Sequence, residues 1–505
     1  MKNFFITFFY FVTFVSTSIA QTAKVNFTIA NTPFKKLNVW VHDPPLNYNY
    51  FKNPAFSIIL DNSGSASYIF LITEPRFISF FYNTDQIGHY KKTFELYLSP
   101  GDNLVVKADV KPENNVLEVT GKGSNNNQPL LSGFQEQNVR IFYNDTSPYR
   151  FIAAINKESA LRINIFEKYK NLYKPDSLFL KDWEENQKYY VAEKYYSFKE
   201  DNKFYIRKSY KNNYSKWQHV QDSLFTIINL NNDKALNAYN YCLLIHDFLL
   251  RKKEALWDLK KANPEKFYKE WYNSVSEGEK SFKNDRKNLL EEKIINKFFT
   301  GHSAEYLYAV LFNEAINGAN YENLKLIFER FKNQYPKSKY ITWFEPTVNS
   351  IEEKQKQTIN DKMIFAYSNG LNINSFQEAL QLTKGKTVLL DMWGTWCSPC
   401  LQEIEKNSQI IKKRFQDKGL DYLYIANFDS KNEKKWRELI AFFHLEGTHV
   451  LANEQLSKDI MAKVKGDSYP TYIIIKKDGS YELSKAGYPM NRDVLIKQLE
   501  EAIAQ

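Results

Sequence analysis

Two cysteines three residues apart, Cys397 and Cys400, are the groups in this chain best suited to chemistry. The apolar run Val388-Leu389-Leu390 before them reads as a buried strand. Trp393-Gly394-Thr395-Trp396 reads as a short turn, and Leu401-Gln402-Glu403-Ile404-Glu405 after them has the composition of a helix. A thiol at a helix start lies beside unpaired N–H groups and the positive end of the helix dipole, which favours thiolate over thiol. Cys400, one turn further in, is placed to attack a mixed disulfide made by Cys397. Pro399 suits a first helical turn, where its missing N–H costs little. The competing use of such a pair is half of a zinc site, which needs four ligands when structural. The remaining cysteine, Cys242, lies far off in the apolar helical run Tyr239-Asn240-Tyr241-Cys242-Leu243-Leu244-Ile245, where it reads as a small buried hydrophobe. His444 and His449 flank a glycine in an expected loop and lack ligand spacing. Redox use is therefore expected, with no metal and no cofactor.

The elements that must position the pair occupy residues 361–505. Residues 364–366 read as an edge strand, and Ser375-Phe376-Gln377-Glu378 as a capping box opening a helix to Leu382. After the central strand, the cysteine helix runs to about Phe415. A strand is expected over 420–428, helices over 433–443 and 454–464, and a strand from Tyr469 with Pro470 at its start. Lys477-Asp478-Gly479 then makes a hairpin turn, 481–485 the partner strand and 492–504 the closing helix. This β-α-β-α-β-β-α order implies a central sheet with helices on both faces.

The rest of the 505 residues divides by pattern. Residues 1–20 have a basic start, an apolar core from Phe4 to Val15 and small residues at Ser18-Ile19-Ala20, which marks a secretory signal peptide. The apolar run is shorter than the roughly 20 residues a membrane anchor needs. No transmembrane segment is expected after cleavage, so the mature chain should be soluble outside the cytoplasm, in the periplasm or envelope. Residues 21–124 alternate in short runs separated by Pro, Gly, Asn and Asp, which suggests an antiparallel β-sandwich-like domain. Residues 125–360 turn helical: Leu324, Ile327, Phe328 and Phe331 form a stripe at helical spacing that ends at Tyr335-Pro336. The formal charge of +10 is spread among alternating acids and bases, so no nucleic-acid partner is expected. The fold class is multidomain: a β-rich domain, an all-α middle and a C-terminal α/β domain.

Residues 361–505 resemble the TlpA/ResA-like family of extracytoplasmic thioredoxins. The resemblance rests on Trp393-Gly394-Thr395-Trp396-Cys397-Ser398-Pro399-Cys400, on Tyr469-Pro470-Thr471 and on Asp478-Gly479. Ser99-Pro100-Gly101-Asp102 and Gly121-Lys122-Gly123-Ser124 resemble the β-rich domain that precedes such thioredoxins in large Gram-negative envelope proteins. The resemblance implies a thioredoxin fold, a redox-active disulfide Cys397–Cys400, Cys397 as exposed nucleophile and Cys400 as buried resolving thiol. It implies Pro470 as a cis proline, with Trp396, Tyr469 and Pro470 meeting the substrate. Asp391 matches the buried Asp of cytoplasmic thioredoxins, and Glu403 the active-site Glu of ResA-like proteins; the plain alternative for Glu403 is a solvent-facing helix residue. The expected activity is thiol–disulfide oxidoreduction, reducing protein disulfides with electrons from a membrane or periplasmic donor. Two other readings stand beside it: a net oxidase or isomerase, and an envelope interaction protein whose thioredoxin-like part is a redox-sensitive attachment.

Overall fold

The computed structural model describes residues 22–32, 35–41, 55–72, 74–83, 90–109, 117–128, 138–205, 207–366 and 373–505. The expected signal peptide, 1–20, lies outside the described residues. The chain divides into two units, Met1–Lys252 with Phe299–Ser303, and Lys253–Phe298 with Ala304–Gln505.

In the first unit, period-two alternation is used to bury one face of each strand. In β1 (Thr22–Ala30) Ala23, Val25, Phe27 and Ile29 point inward between exposed or half-buried neighbours. The other strands are β2 (Lys36–Val41), β3 (Ala55–Ile59), β4 (Ser65–Leu71), β5 (Arg76–Asn83), β6 (Tyr90–Leu98), β7 (Asn103–Asp109) and β8 (Leu117–Lys122). They form two four-stranded sheets, ordered β4-β1-β7-β8 and β3-β2-β5-β6, around one shared apolar core. Phe27 of one sheet meets Phe80 of the other at 5.2 Å between ring centroids. The expectation of wholly antiparallel pairing needs correction. β1 runs parallel to β7, because the chain returns across the other sheet before pairing with its own first strand. Strands β4 and β8 were also not foreseen.

Helices α1 (Tyr149–Tyr173), α2 (Ser177–Tyr205), α3 (Arg207–Ile227) and the first half of α4 (Tyr239–Ala262) complete this unit. Their interfaces are aromatic: Phe166 of α1 stacks on Trp183 of α2 at 3.5 Å. Tyr97 of β6 donates its hydroxyl to Asp182 of α2 at 2.7 Å, tying sheet to helix through a buried pair. Cys242 is fully buried in α4, as its apolar surroundings predict.

The second unit opens with α5 (Pro264–Tyr272), α6 (Val275–Asn284), α7 (Asn288–Phe298), α8 (Gly301–Asn317), α9 (Leu324–Gln334) and α10 (Lys339–Gln355). The α9 stripe of Leu324, Ile327, Phe328 and Phe331 is buried throughout. There follow β9 (Met363–Phe365), α11 (Phe376–Gln381), β10 (Thr387–Trp393), α12 (Ser398–Phe415), β11 (Leu420–Ala426), α13 (Glu433–Phe442) and β12 (Gly447–Leu451). The chain ends with α14 (Glu454–Val464), β13 (Thr471–Ile475), β14 (Tyr481–Leu483) and α15 (Arg492–Ala504). The strands make one six-stranded sheet, ordered β14-β13-β10-β11-β12-β9. Strand β12 corrects the expectation of a loop around His449. It lies between β11 and β9, with His449 fully buried and its Nε2 hydrogen-bonded to Leu445 O.

β10 is buried at every position, which explains its apolar run Val388-Leu389-Leu390. Val388, Leu390 and Met392 enter a core with α11 and α14. Leu389, on the other face, packs with Ile411 and Phe415 of α12 and Leu495 and Leu499 of α15. Asp391 shares the parity of Leu389 and so faces α12 and α15. The helical segments before the sheet also touch the helices α12 and α13 that cover it. Asn317 O at the end of α8 accepts from Gln402 Nε2 at 2.7 Å and from Ser398 Oγ at 3.4 Å. Tyr321 stacks on Phe442 at 4.9 Å, Glu322 pairs with Lys435, and Lys354 pairs with Glu405 at 2.5 Å.

Candidate functional site

β10 delivers the chain to a turn whose shape is fixed by side chains from the end of β11. Thr395 donates its N–H and its hydroxyl to the buried carboxylate of Asp429, at 2.7 and 2.6 Å. The indole of Trp396 folds back and donates to Asn427 O at 2.8 Å. That return path is open because residue 394 is glycine: a Cβ there would lie 2.5 Å from Trp396 Nε1 and 3.0 Å from Asn427 O. Asn427, itself fully buried, closes the turn by donating its side-chain amide to Trp393 O.

The turn ends at the cysteines, which are joined as the disulfide Cys397–Cys400. Cys397 is the N-cap of α12, Pro399 sits in the first turn, and Cys397 Sγ accepts from Cys400 N at 3.3 Å. An N–H aimed at Sγ is the interaction that would stabilise a thiolate there after reduction. Cys400 is fully buried, but Cys397, expected to be exposed, is only 3% exposed. Bonding to a partner inside the first helical turn draws its sulfur inward. The exposed surface beside it is aromatic instead. Trp396 and Phe428 are each about half exposed, and Tyr469 lies 6.0 Å from Trp396 and 6.5 Å from Phe428. The Tyr469–Pro470 peptide is cis, as is Tyr488–Pro489, which was not foreseen. Phe428 was missed as well. Its φ of 58° is one that bulky residues rarely adopt, and nothing in its local sequence signals that.

Both acids singled out in the sequence lie at the buried face of α12, Glu403 on the helix itself and Asp391 on β10 below it. Glu403 is not the solvent-facing residue of the plain alternative: it is 5% exposed, and Asp391 is 7% exposed. They line one small cavity together with Asn407, Tyr424, Tyr472 and Met490. Cys400 and Glu403 are three apart on the same helix and so share a face. Burial, and then the charge of Glu403, push the Asp391 carboxyl up to about 7. Among the described residues its Oδ1 is buried without a hydrogen-bond partner. Tyr472, directly opposite Asp391 in the β10–β13 register, is held protonated far above its usual range by burial and by both acids.

Sequence reasoning missed two further residues. Asn407 donates Nδ2 to Glu403 Oε2 at 2.6 Å, while its Oδ1 accepts from Arg492 Nε at 3.0 Å and from a second guanidinium nitrogen at 2.9 Å. The i, i+4 spacing of Glu403 and Asn407 was a usable signal. The reach to Arg492 was not, since it spans 85 residues.

Comparison with known proteins places the site in context. Residues 385–481 match a family described as thioredoxin-like. The chain is 32% identical over 105 residues to the thioredoxin-like protein YneN of Bacillus subtilis, a stretch covering 20% of this chain and 58% of that protein's length. Among solved structures, it resembles the thioredoxin domain of a thiol-disulfide oxidoreductase from Bacteroides vulgatus. Identity there is 23% and TM-score 0.21, covering 24% of this chain and 81% of that one. It also resembles the pneumococcal exposed lipoprotein thioredoxin of Streptococcus pneumoniae, with 26% identity and TM-score 0.20, covering 24% and 89%. The C-terminal part of the chain thus carries a thioredoxin-like domain with a Cys-x-x-Cys pair.

Proposed function

We propose that this protein is a thiol–disulfide oxidoreductase that reduces protein disulfides outside the cytoplasm through Cys397 and Cys400. The observation that carries the reading is the disulfide at the N-cap of α12, with a backbone N–H on Cys397 Sγ and two buried acids at the inner face of the same helix. In the reduced protein, the Cys397 thiolate attacks one sulfur of a target disulfide. A Cys397–target bond forms, the target S–S bond breaks, and the departing target thiolate takes a proton from solvent. Asp391 accepts the proton of Cys400, directly or through one water. Cys400 then attacks Cys397 Sγ, the Cys397–Cys400 bond forms, and the second target sulfur leaves as thiolate to be protonated in turn. Two electrons and two protons pass to the target.

A membrane or periplasmic thiol donor would return the electrons. Trp396, Tyr469 and Pro470, with Phe428 beside them, offer the surface on which a substrate strand would lie. The TlpA/ResA-like assignment, cleavage after residue 20, a sandwich-like domain over 21–124, a helical region over 125–360 and a separately bounded domain from 361 belong to the same proposal. So does the idea that the regions before the thioredoxin-like domain select the target.

The test uses the full-length protein with insulin as disulfide substrate and dithiothreitol as reductant. The wild type should accelerate insulin reduction, Cys397→Ser should abolish this, and Cys400→Ser should accumulate a mixed disulfide with an insulin chain. A wild type that gives no acceleration, or a Cys400→Ser protein that captures nothing, refutes the proposal.

A further inference from the structure

We infer that Asn407, held by Arg492, is a positioning residue for the acid pair: it fixes Glu403 Oε2 as a hydrogen-bond acceptor and leaves Asp391 to carry the proton exchanged with Cys400. This rests on the proposed dithiol chemistry and assigns the two acids different parts in it.

A guanidinium has only donors. Both Arg492 contacts fall on one atom of the Asn407 side chain, so that atom must be the carbonyl oxygen, whichever way the amide is drawn. The other end of the amide is then NH2, and it points at Glu403 Oε2 from 2.6 Å. Glu403 Oε2 is therefore held as an acceptor. Asn407 is 2% exposed and Arg492 half-buried, so the amide is shielded while its anchor reaches the rim. Asp391 has the complementary environment, with one buried oxygen that meets no donor among the described residues. Two carboxyls facing one cavity, one with a fixed donor and one without, are inequivalent.

The groups around Glu403 support the division. From β10 it faces Asp391, from β13 Tyr472, and from β11 Tyr422 and Tyr424, all lining the cavity. From α15 Arg492 acts on it through Asn407. Behind the tyrosines, Lys412 lies over both β11 rings at 4.9 and 5.4 Å, and His449 stacks on Tyr424 at 5.0 Å. Burial pushes Lys412 down to about 7 and His449 down to about 4. Among the described residues, the donor fixed on Glu403 is the Asn407 amide.

The test compares full-length wild type with Asn407→Leu, Arg492→Leu and Arg492→Lys. Two readouts are taken from pH 5 to 9: the rate of insulin disulfide reduction, and the infrared titration of the buried carboxyls in the oxidised protein. Losing the donor destabilises the ionised form of the pair, so a proton binds more tightly and the acidic limb moves to higher pH. A hydrogen bond to a charged group is strong enough for a displacement of about one pH unit in Asn407→Leu. Arg492→Leu frees the amide to turn over and should move the limb the same way by less, and Arg492→Lys should restore most of the wild-type profile. In a Glu403→Gln background, Asn407→Leu should produce no further displacement. A wild-type profile in both leucine variants, or a displacement that persists in the Glu403→Gln background, overturns the inference. The infrared titration separates these outcomes even if insulin is not reduced, so failure of the proposed activity and failure of the positioning role are distinct results. If Asn407→Leu does not fold, the two Arg492 variants decide the question.

Discussion

Replacing Asp391 by Asn removes a group that burial makes expensive, and the cost has a calculable pH dependence. The carboxyl is pushed from an ordinary value near 3.8 up to about 7 in the folded protein. Below pH 3.8 it is protonated in both folded and unfolded states and contributes no difference. As pH rises, the unfolded chain releases its proton first, so the unfolded state binds fewer protons and stability falls. The loss is complete above the folded value. Taking each pH unit as about 1.4 kcal/mol, the charge costs about 1 kcal/mol at pH 4.5 and about 4 kcal/mol at pH 8. Asn carries its own penalty for a buried amide without partners, but that penalty does not change with pH. The stability of Asp391→Asn relative to wild type should therefore rise by about 3 kcal/mol between pH 4.5 and 8. The chain contains two units, so a single unfolding free energy is not defined for it. Hydrogen exchange of the β10 amides in the oxidised protein, corrected for intrinsic rates, reads the opening free energy where the acid sits. A difference between variant and wild type that stays constant across that range would refute the burial argument and remove the basis for a proton acceptor active near neutral pH.

Gly394→Ala should push the Trp396 indole off Asn427 O, because the new Cβ would stand 2.5 Å from Nε1. A red-shifted tryptophan emission and a lower insulin-reduction rate with a folded sheet are expected, and unchanged emission would count against the close approach. A chain beginning at residue 361 should keep reactive cysteines yet open more easily around α12 and α13. It loses the Asn317 acceptor for Gln402, the Glu322 partner of Lys435 and the stack of Tyr321 on Phe442. Hydrogen exchange of α13 no faster than in the full-length protein would show that these contacts hold nothing.

What the sequence made legible was the part built from local contacts. The cysteine helix, the Ser375–Glu378 capping box and the α9 stripe each depend on residues within a turn or two, and each forms where expected. β12 escaped notice because it is only five residues long and carries His449 at its centre. Its identity as a strand comes from its pairing with β11 on one side and β9 on the other. The parallel β1–β7 pair escaped for a similar reason, since only the folded chain brings residues 24 and 103 together. At the site, the resemblance to extracytoplasmic thioredoxins picked out the two acids by their positions relative to the cysteines. The amide and guanidinium that make those acids unlike each other could not be picked out in this way, because that relation is set by α15 packing under α12.

Ser398 stands between the two cysteines, and its hydroxyl and the amide of Gln402 both reach the last carbonyl of α8. Docking of the α8–α9 connection and oxidation of the dithiol are therefore two edges of one thermodynamic cycle. Whatever factor docking applies to the dithiol–disulfide equilibrium, the redox state applies the same factor to docking. A displacement of about 30 mV in one is about 1.4 kcal/mol in the other. Contacts that differ in strength between the dithiol and the disulfide would therefore tie the state of the cysteines to how firmly the α8–α9 connection sits on α12, in both directions and by the same factor.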